Sequence, residues 1–474
     1  MTEAVTKEPS KDHKISMKDN FASVQSQHLM QCWSRQQDYN PLPVARTEGC
    51  WIHTTDQRKI FDLRSAHECI NLGFNHPKVI EAMRTQLDSV IYVTDDFATA
   101  PTAALVERLA AMTPGSPNKR VFLSNSGAAA VEAAIKGARQ FKYAETFQKG
   151  PTHFDAPDQY PYPYKIISRY KSWHGSTSGA SSVSGDPRRW FQEPFTVPGV
   201  VFGPEANAFR SPFDDCPDPV QANLDYIDYM IENEGGNGKV AAVLIEPVVG
   251  SNGIIPPPKD YLKGLRALCD RWGLLLIADE TMTGMGRTGE FLAIDHYGIE
   301  PDIIIMGKAL GAYCPLAATI FSEKVSKCFD TNIFGHGQSH SGHALACAAG
   351  LASLEVLQEP GFLAQVREKG NYLQQKLLTL AEKHPSVGDT RGIGLFWTME
   401  LTTDPFSKKP LRRTTEKYQE TVVAKIASYL LEEKNVYVPS DKFGIWVVPP
   451  LIVTTEEIDF FVQAIDEALT HFNL

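Results

Sequence analysis

Short apolar runs alternate with helical patterns through most of the chain. Strands are predicted at residues 120–124, 165–168, 241–246, 274–278 and 303–306. Apolar residues at helical spacing predict helices at 105–112, 131–143 and 261–272. Because strand and helix alternate, the pattern predicts an α/β fold with a mostly parallel central sheet covered by helices.

The pattern differs at both ends of the chain. Residues 48–62 predict a hairpin, and the polar first 20 residues predict a mobile tail. From residue 345 onward, helices at 346–359, 363–383 and 455–472 and a strand at 395–401 predict a smaller α+β domain. Loops are predicted at 149–164 and 199–219, which are rich in Pro with Tyr or Asp.

Composition narrows the class of protein. A chain of 474 residues is too long for one core, since cores stop growing near about 250–300 residues. The net charge of −10 gives no general attraction to nucleic acid or anionic lipid. No apolar run in the sequence is long enough to predict a membrane-spanning helix, and none near the N-terminus predicts a secretory signal. The eight scattered cysteines predict free thiols, no metal site and a cytoplasmic location.

One motif points towards a dinucleotide site that the rest of the sequence does not support. Gly284, Gly286 and Gly289 form a literal GxGxxG. Five residues separate the preceding strand from Gly284, and the next strand ends at Lys308, where a ribose-binding acid is expected. The glycines therefore predict a tight surface turn.

Two charged residues at neighbouring strand ends indicate a sharper hypothesis. Asp279 and Lys308 should both face the crevice at the carboxyl edge of the sheet. A pyridoxal phosphate (PLP) enzyme needs such a lysine, and an acid that keeps the pyridine nitrogen protonated. Residues 124–128 form a small-residue turn before a helix, which favours a phosphate. Trp173, followed by His174 and Gly175, has a ring that could cover a flat cofactor.

At this point the chain resembles the class III (omega) aminotransferases of PLP fold type I. Residues 241–321 match best, including Glu246-Pro247, Asp279-Glu280 with the glycine motif, Pro301-Asp302 and Lys308. Further motifs fall in family order between residues 45 and 460; they are Gly73-x-Asn75-His76-Pro77, Asn125-Ser126-Gly127, Trp173-His174-Gly175, Ser341-Gly342-His343 and Arg391-Gly392-x-Gly394. The resemblance explains the GxGxxG as part of the family's aspartate motif. We expect an N-terminal segment (1–75) that contributes to the small domain, a large PLP-binding domain (76–345) and a C-terminal small α+β domain (346–474).

The resemblance also implies roles for residues at matching positions. Lys308 would be the Schiff-base lysine and proton shuttle, Asp279 would pair with the pyridinium nitrogen, and His174 would be among the cofactor-binding residues. Trp173 stands where the family usually has Tyr and would stack on the ring. The phosphate would be held by Ser126, Gly127, Ala128 and, from the neighbouring subunit, Ser339. The role of Ser339 implies a homodimer with sites at the interface.

Several positions depart from the family pattern. Ala128 and Ala129 replace the usual hydroxyl and acid, which predicts weaker retention of PLP. The Glu and Arg that relatives use for a substrate carboxylate are replaced by Ser251 and Trp446, and a second Arg position falls within 436–439, which has none. The substrate anion must therefore bind differently. The candidate substrate-binding residues are Arg391, Lys442, Arg188, Arg189, Trp446 and Trp33.

The pattern Trp173-His174-Gly175-Ser176, with the long loop after it and these substitutions, is most similar to the taurine aminotransferases of this family. This resemblance implies a reaction that moves an omega-amino group from taurine, or a similar omega-amino acid or amine, to pyruvate or 2-oxoglutarate. The product would be an aldehyde such as sulfoacetaldehyde. β-Alanine, 4-aminobutyrate and diamines remain alternative donors. A PLP-dependent racemase or aminomutase is an alternative reaction on the same fold, and a non-catalytic PLP-fold binding protein is a third hypothesis.

Overall fold

A computed structural model describes residues 21–147, 162–404, 408–411, 421–438 and 443–474. The predicted N-terminal tail and most of the predicted 149–164 loop lie outside these residues, as does Lys442. The strands are β1 Val44–Glu48, β2 Trp51–Thr54, β3 Lys59–Asp62, β4 Arg120–Ser124, β5 Lys165–Arg169, β6 Val200–Gly203, β7 Val240–Ile245, β8 Leu275–Asp279, β9 Ile303–Met306, β10 Ala317–Phe321, β11 Val387–Ile393, β12 Phe396–Asp404, β13 Lys409–Pro410, β14 Val436–Tyr437 and β15 Gly444–Val447.

The helices confirm the predicted periodic segments, with small shifts at their ends. They are α1 Phe21–His28, α2 Ser65–Glu68, α3 Pro77–Leu87, α4 Ala100–Met112, α5 Gly127–Phe147, α6 Ser178–Ser182, α7 Pro219–Asn233, α8 Tyr261–Trp272, α9 Glu323–Ser326, α10 Ala344–Leu357, α11 Phe362–Lys383, α12 Val422–Glu433 and α13 Thr455–His471. None of them is long and apolar enough to cross a bilayer.

A seven-stranded sheet forms the centre of the fold. Its strand order is β4-β10-β9-β8-β7-β5-β6, and only β10 runs against its neighbours. Every residue of β7, β8 and β9 is buried, which explains why these strands are apolar without alternation. Leu244 and Ile277 pack on the side of α5, whereas Val243 and Leu276 belong to the core that contains α8. The prediction of a mostly parallel sheet covered by helices is confirmed.

Two smaller sheets surround this centre. In the first, β1, β2 and β3 form an antiparallel meander, and β14 adds parallel to β3 through Val436–Phe61 and Tyr437–Asp62. In the second, β12 pairs with β11, β13 and β15. Segments from the two ends of the chain thus share one sheet. The predicted domain boundaries at residues 75 and 345 stay predictions.

The structure corrects two local predictions. The predicted 199–219 loop contains β6, which pairs with β5 at the edge of the central sheet. Two Val and a Phe before Gly203 form that strand, so the Pro-rich composition applies only to the residues after it. The GxGxxG turn is buried, not a surface turn. Its Arg287 is fully buried and donates to the carbonyl oxygens of Leu395 (3.1 Å) and Pro449 (2.6 Å).

Candidate active site

A cavity of about 980 Å³ opens at the carboxyl edge of the central sheet. Its walls include residues that follow β4, β5, β7, β8 and β9, because parallel strands bring their carboxyl ends to one edge. Six of the residues predicted for catalysis or cofactor binding line it together; they are Lys308, Asp279, Gly127, Ala128, Trp173 and His174.

Lys308 begins a short 3-10 turn directly after β9. Its φ of 47° lies in the left-handed region, which is uncommon for a non-glycine residue and is found most often at functional sites. The Lys308 ammonium forms an ion pair with Glu68, whose side chain is buried. Burial acts to raise the pKa of Glu68, but the Lys308 charge and hydrogen bond, aided by Arg64, outweigh it and the pKa is lowered.

Glu68 reaches the cavity from an unusual backbone segment. Ser65, Ala66, His67 and Glu68 have φ values of 48°, 45°, 61° and 60°, so α2 is a left-handed turn. Such a conformation costs about 1–2 kcal/mol per L-residue. Asp62 compensates by accepting from the Arg64 amide (2.9 Å) and the Ala66 amide (2.7 Å). The Ser65 hydroxyl also donates to the Val448 carbonyl (2.6 Å).

Asp279 is held by neighbours on two sides. One carboxylate oxygen lies 2.7 Å from His174 Nδ1. The other accepts from the Thr281 amide (3.1 Å) and the Thr281 hydroxyl (2.5 Å). Asp279 and His174 are both buried, and His174 Nε2 has no hydrogen-bond partner among the described residues. These contacts fix one orientation of the Asp279 carboxylate.

An aromatic and cationic cluster forms one wall of the cavity. The Arg188 guanidinium lies 3.7 Å from the centroid of the Trp173 ring and 5.6 Å from that of Trp33. The two indoles meet edge to face at 5.6 Å. Arg188 is also held by Asp186, with contacts of 2.9 and 3.2 Å. The Trp173 amide donates to buried Glu246 (2.8 Å), and burial raises the pKa of that carboxyl.

The small-residue turn after β4 opens α5, as the sequence predicts. Gly127 and Ala128 line the cavity, and first-turn amides of a helix have no intrahelical carbonyl partner. Ser126 is exposed, lies outside the cavity lining, and its hydroxyl accepts from the Ala129 amide (3.2 Å). Gly175 fits closely against this turn, since a Cβ there would lie 2.5 Å from the Ala128 Cβ.

The remaining predicted residues are spread over the molecule. Trp33 and Trp446 line the cavity, and Trp446 is buried beside Met282 and Phe396. Ser339 is exposed and does not line the cavity of its own chain. Arg391 lies outside the cavity lining as well. It donates to Asp389 (2.7 Å), Glu400 (2.6 Å) and the Gly253 and Ile254 carbonyls, so we do not retain it as a substrate residue.

Several cavity residues are not singled out by the sequence, and Arg64, Glu68 and Thr281 are among them. Thr281 follows Asp279 by two residues, so its position beside the strand end could have indicated it. A Cβ on Gly127 would lie 3.0 Å from its methyl group, which makes Thr281 a wall of the cavity. Arg64 and Glu68 have no such signal, because a left-handed turn of non-glycine residues has no sequence pattern.

Comparisons with known proteins agree with this geometry. A family model described as aminotransferase class-III matches residues 32–469. Acetylornithine aminotransferase from Methanocaldococcus jannaschii is 32% identical over 456 residues, covering 95% of this chain and 98% of that protein. Taurine–pyruvate aminotransferase from Bilophila wadsworthia is 29% identical over 461 residues, covering 96% and 97%.

A solved structure is similar over almost the whole chain. It is that of taurine:2-oxoglutarate aminotransferase from Bifidobacterium kashiwanohense, in complex with PLP and glutamate. The TM-score is 0.87 at 32% identity, with 95% of this chain and 97% of that chain covered.

The residues present suit PLP. The cavity offers an amine at Lys308, a buried carboxylate at Asp279 and free helix amides at Gly127 and Ala128. Gly127 leaves room beside Thr281 that a larger residue would fill. The amine suits the aldehyde of PLP, the carboxylate suits its ring nitrogen, and the helix amides suit its phosphate.

Proposed function

The chain belongs to the class-III aminotransferases, which use PLP, and we propose that its amine donor is taurine or a similar omega-amino acid or amine. The acceptor is a 2-oxo acid, either pyruvate or 2-oxoglutarate. Two of the relatives compared above are taurine aminotransferases, one named for each acceptor. Acetylornithine aminotransferase is equally similar, so the donor assignment rests on the cavity.

Each residue around the cofactor has a definite task in this proposal. When bound, PLP accepts the amino group of the donor and withdraws electrons from the carbon that loses a proton. The Lys308 amine takes that proton and returns it during product formation. Asp279, oriented by His174 and Thr281, holds the proton on the ring nitrogen. Trp173 and Thr281 exclude water from the ring, and the first amides of α5 bind the phosphate.

Arg188 is the observation that carries the donor assignment. Its guanidinium lies against Trp173 and near Trp33, inside the cavity that holds Lys308. The family resemblance implies that relatives bind a substrate carboxylate with an Arg where this chain has Trp446, and mask that Arg with a Glu where this chain has Ser251. Neither residue of this chain carries a charge. Of the two cavity arginines, Arg64 begins the turn that contacts Lys308, so we assign the acidic group at the far end of the donor to Arg188. A tetrahedral sulfonate needs no planar fork, so an Arg already held by Asp186 can still donate to it.

A half-reaction spectrum tests this proposal. Taurine is added to the PLP-loaded protein without any oxo acid, and the visible band of the bound cofactor is followed. Bleaching by taurine supports the assignment, whereas a band that persists removes taurine from the donors. The same panel includes β-alanine, 4-aminobutyrate and a diamine. Conversion of a single amino acid with no acceptor present would indicate a racemase or aminomutase instead.

A matched pair of variants distinguishes a specific effect of Arg188 on taurine binding from the general effect of removing a positive charge. Arg188→Gln should raise the half-saturating taurine concentration roughly 10- to 100-fold, the value of one charged hydrogen-bond pair. Arg189→Gln is the control, because Arg189 lies over Phe202 and pairs with Glu193 instead of lining the cavity. Equal effects of the two substitutions would contradict the assignment.

Glu68 favours diamines as a second class of donor. Its buried carboxylate lies on the cavity wall beside Lys308, and a carboxylate there attracts a second ammonium group. Faster bleaching by a diamine than by taurine, and its loss in Glu68→Gln, would favour this alternative.

A further inference from the structure

A second arginine, Arg64, faces the cavity and forms no ion pair with a described acid, although its charge helps to lower the pKa of Glu68. The Nη1 of Arg64 donates to the Tyr437 hydroxyl (3.2 Å), and its Nε is buried without a hydrogen-bond partner. No carboxylate in the described part of the chain lies within ion-pair distance of Arg64, and the residue lines the cavity. The other cavity arginine, Arg188, is held by Asp186.

The two acidic residues closest to Arg64 in sequence already bind other groups. Asp62 uses its two oxygens for the amides of Arg64 and Ala66, and Glu68 binds the Lys308 ammonium. The Arg64 guanidinium therefore keeps donors that can bind an incoming anion. Asp62 and the left-handed turn hold its backbone in place, which limits the ordering cost of binding.

The position of Arg64 indicates which anion it meets. Arg64 begins the turn that ends at Glu68, and Glu68 contacts Lys308. The reacting carbon of a substrate must come to Lys308, so a carboxylate attached to that carbon comes to the same turn. Arginine binds carboxylates through two parallel hydrogen bonds. We infer that Arg64 binds the 1-carboxylate of the 2-oxo acid acceptor.

This inference assigns Arg64 to one half of the reaction. A 2-oxo acid carries a carboxylate on its reacting carbon, whereas a terminal amine donor such as taurine does not. Arg64 should thus matter for the acceptor and not for the donor, whose anion lies at Arg188. The inference rests on transamination to a 2-oxo acid and does not depend on taurine as the donor.

Single-turnover kinetics test it directly. Protein reconstituted with pyridoxamine phosphate is mixed with pyruvate or with 2-oxoglutarate, and the return of the PLP band is followed. Arg64→Gln should raise the half-saturating concentration of both acids roughly 10- to 100-fold. Arg64→Lys should lie in between, because lysine keeps the charge but not the fork. The donor half-reaction of Arg64→Gln should stay within about twofold of wild type.

Control variants distinguish a role of Arg64 in binding the acceptor from a role in stabilising the left-handed turn. Arg84→Gln, on the exposed face of α3, should leave both half-reactions unchanged. Tyr437→Phe removes the only hydrogen-bond partner found for the guanidinium among the described residues, yet keeps the charge, and should retain most acceptor binding. Line broadening of propanoate, an unreactive carboxylate, on the pyridoxamine-loaded protein should be present in wild type and lost in Arg64→Gln.

Two outcomes would overturn the inference. Equal losses in both half-reactions of Arg64→Gln would show that Arg64 supports the turn instead of binding the acceptor. Unchanged acceptor kinetics would mean that another group binds the carboxylate. Wild-type protein that reacts with no 2-oxo acid would instead defeat the proposed function, so the two failures are distinguishable.

Discussion

The ion pair between Glu68 and Lys308 links the stability of the cofactor-free protein to pH. The folded state lowers the pKa of Glu68 below its ordinary value of 4.5, because Lys308 outweighs the effect of burial. A carboxyl group with a lowered pKa stabilises the fold fully above its unfolded pKa. That contribution is lost as the pH falls through the folded pKa.

Glu68→Gln should therefore destabilise the cofactor-free protein by about 1–3 kcal/mol at neutral pH, since it leaves Lys308 without its counterion. The difference from wild type should shrink as the pH falls below about 4.5. Urea unfolding at several pH values measures it. Glu81→Gln, an exposed residue in a long contact with Arg84, is the control and should change little. A difference in unfolding free energy that grows as the pH falls would contradict this prediction.

At the scale of single residues, the sequence predicts the site residues that follow strands. It does not predict those that depend on a rare backbone conformation. Asp279 and Lys308 are predictable because neighbouring parallel strands bring their ends together. Arg64 and Glu68 are not, because they enter the cavity from a left-handed turn whose stability comes from Asp62 and from a carbonyl at Val448. Arg391 shows that a charged residue in a family motif need not line the cavity, since its guanidinium donates to Asp389 and to the carbonyl of Gly253.

The left-handed turn α2 stores strain that a glycine would release. Ala66 has a φ of 45°, where an L-residue costs about 1–2 kcal/mol and glycine costs little. Ala66→Gly should therefore stabilise the protein by about 0.5–1 kcal/mol, measured by urea unfolding. The matched change Ala103→Gly, at an exposed position inside α4, should destabilise it by about 1 kcal/mol. Loss of stability in both variants would exclude strain at Ala66.

The loop after β5 and the start of α5 depend on close contact at Gly175. Its φ of 129° and the distance of 2.5 Å between an added Cβ and the Ala128 Cβ leave no room for alanine. Gly175→Ala should push the loop away from the turn that we propose binds the phosphate, and speed PLP release at least about tenfold, with little loss of fold. Release is followed by gel filtration. Gly238→Ala, with no atom within 4 Å of the added Cβ, is the control and should behave as wild type.

Elements whose apolar residues recur at regular spacing are predicted well from the sequence. Elements that depend on contacts with distant parts of the chain are not. Strand β4 and helix α8 have the bounds that their patterns predict, and α8 buries apolar residues at helical spacing, among them Leu262, Leu265 and Leu268. Strand β6 lies within a predicted loop because its run of two Val and one Phe is short and the residues after it are rich in Pro and Asp. The buried glycine turn was misplaced at the surface, because local sequence does not reveal that the segment around Leu395 covers it.

At the scale of the whole molecule, the two ends of the chain meet. Strand β14 pairs with β3, and Trp51 Nε1 donates to Glu457 at the start of α13 (2.7 Å). Contacts over such sequence distances leave no local pattern, so composition predicts a second domain but not its partners. The left-handed turn follows directly from β3, which means that the small sheet positions Arg64 and Glu68 at the cavity.

The exposed position of Ser339 makes the assembly of two chains testable. Ser339 lies outside the cavity of its own chain, and several apolar side chains are exposed at Ile91, Phe97 and Ile333. We predict a homodimer in which Ser339 binds the phosphate in the neighbouring subunit's site. Ser339→Ala should then speed PLP release about tenfold, as expected for one hydrogen bond to a charged group. Sedimentation should give the mass of a dimer.

Mixed dimers decide which site Ser339 serves. A subunit with Lys308→Ala keeps Ser339, and a subunit with Ser339→Ala keeps Lys308. If Ser339 acts across the interface, a mixed dimer contains one complete site, whose PLP release is as slow as in wild type. If Ser339 acts within its own subunit, every Lys308 in the mixed dimer lacks it, and release stays as fast as in the Ser339→Ala homodimer. The rate of PLP release per intact lysine therefore distinguishes a shared site from a self-contained one.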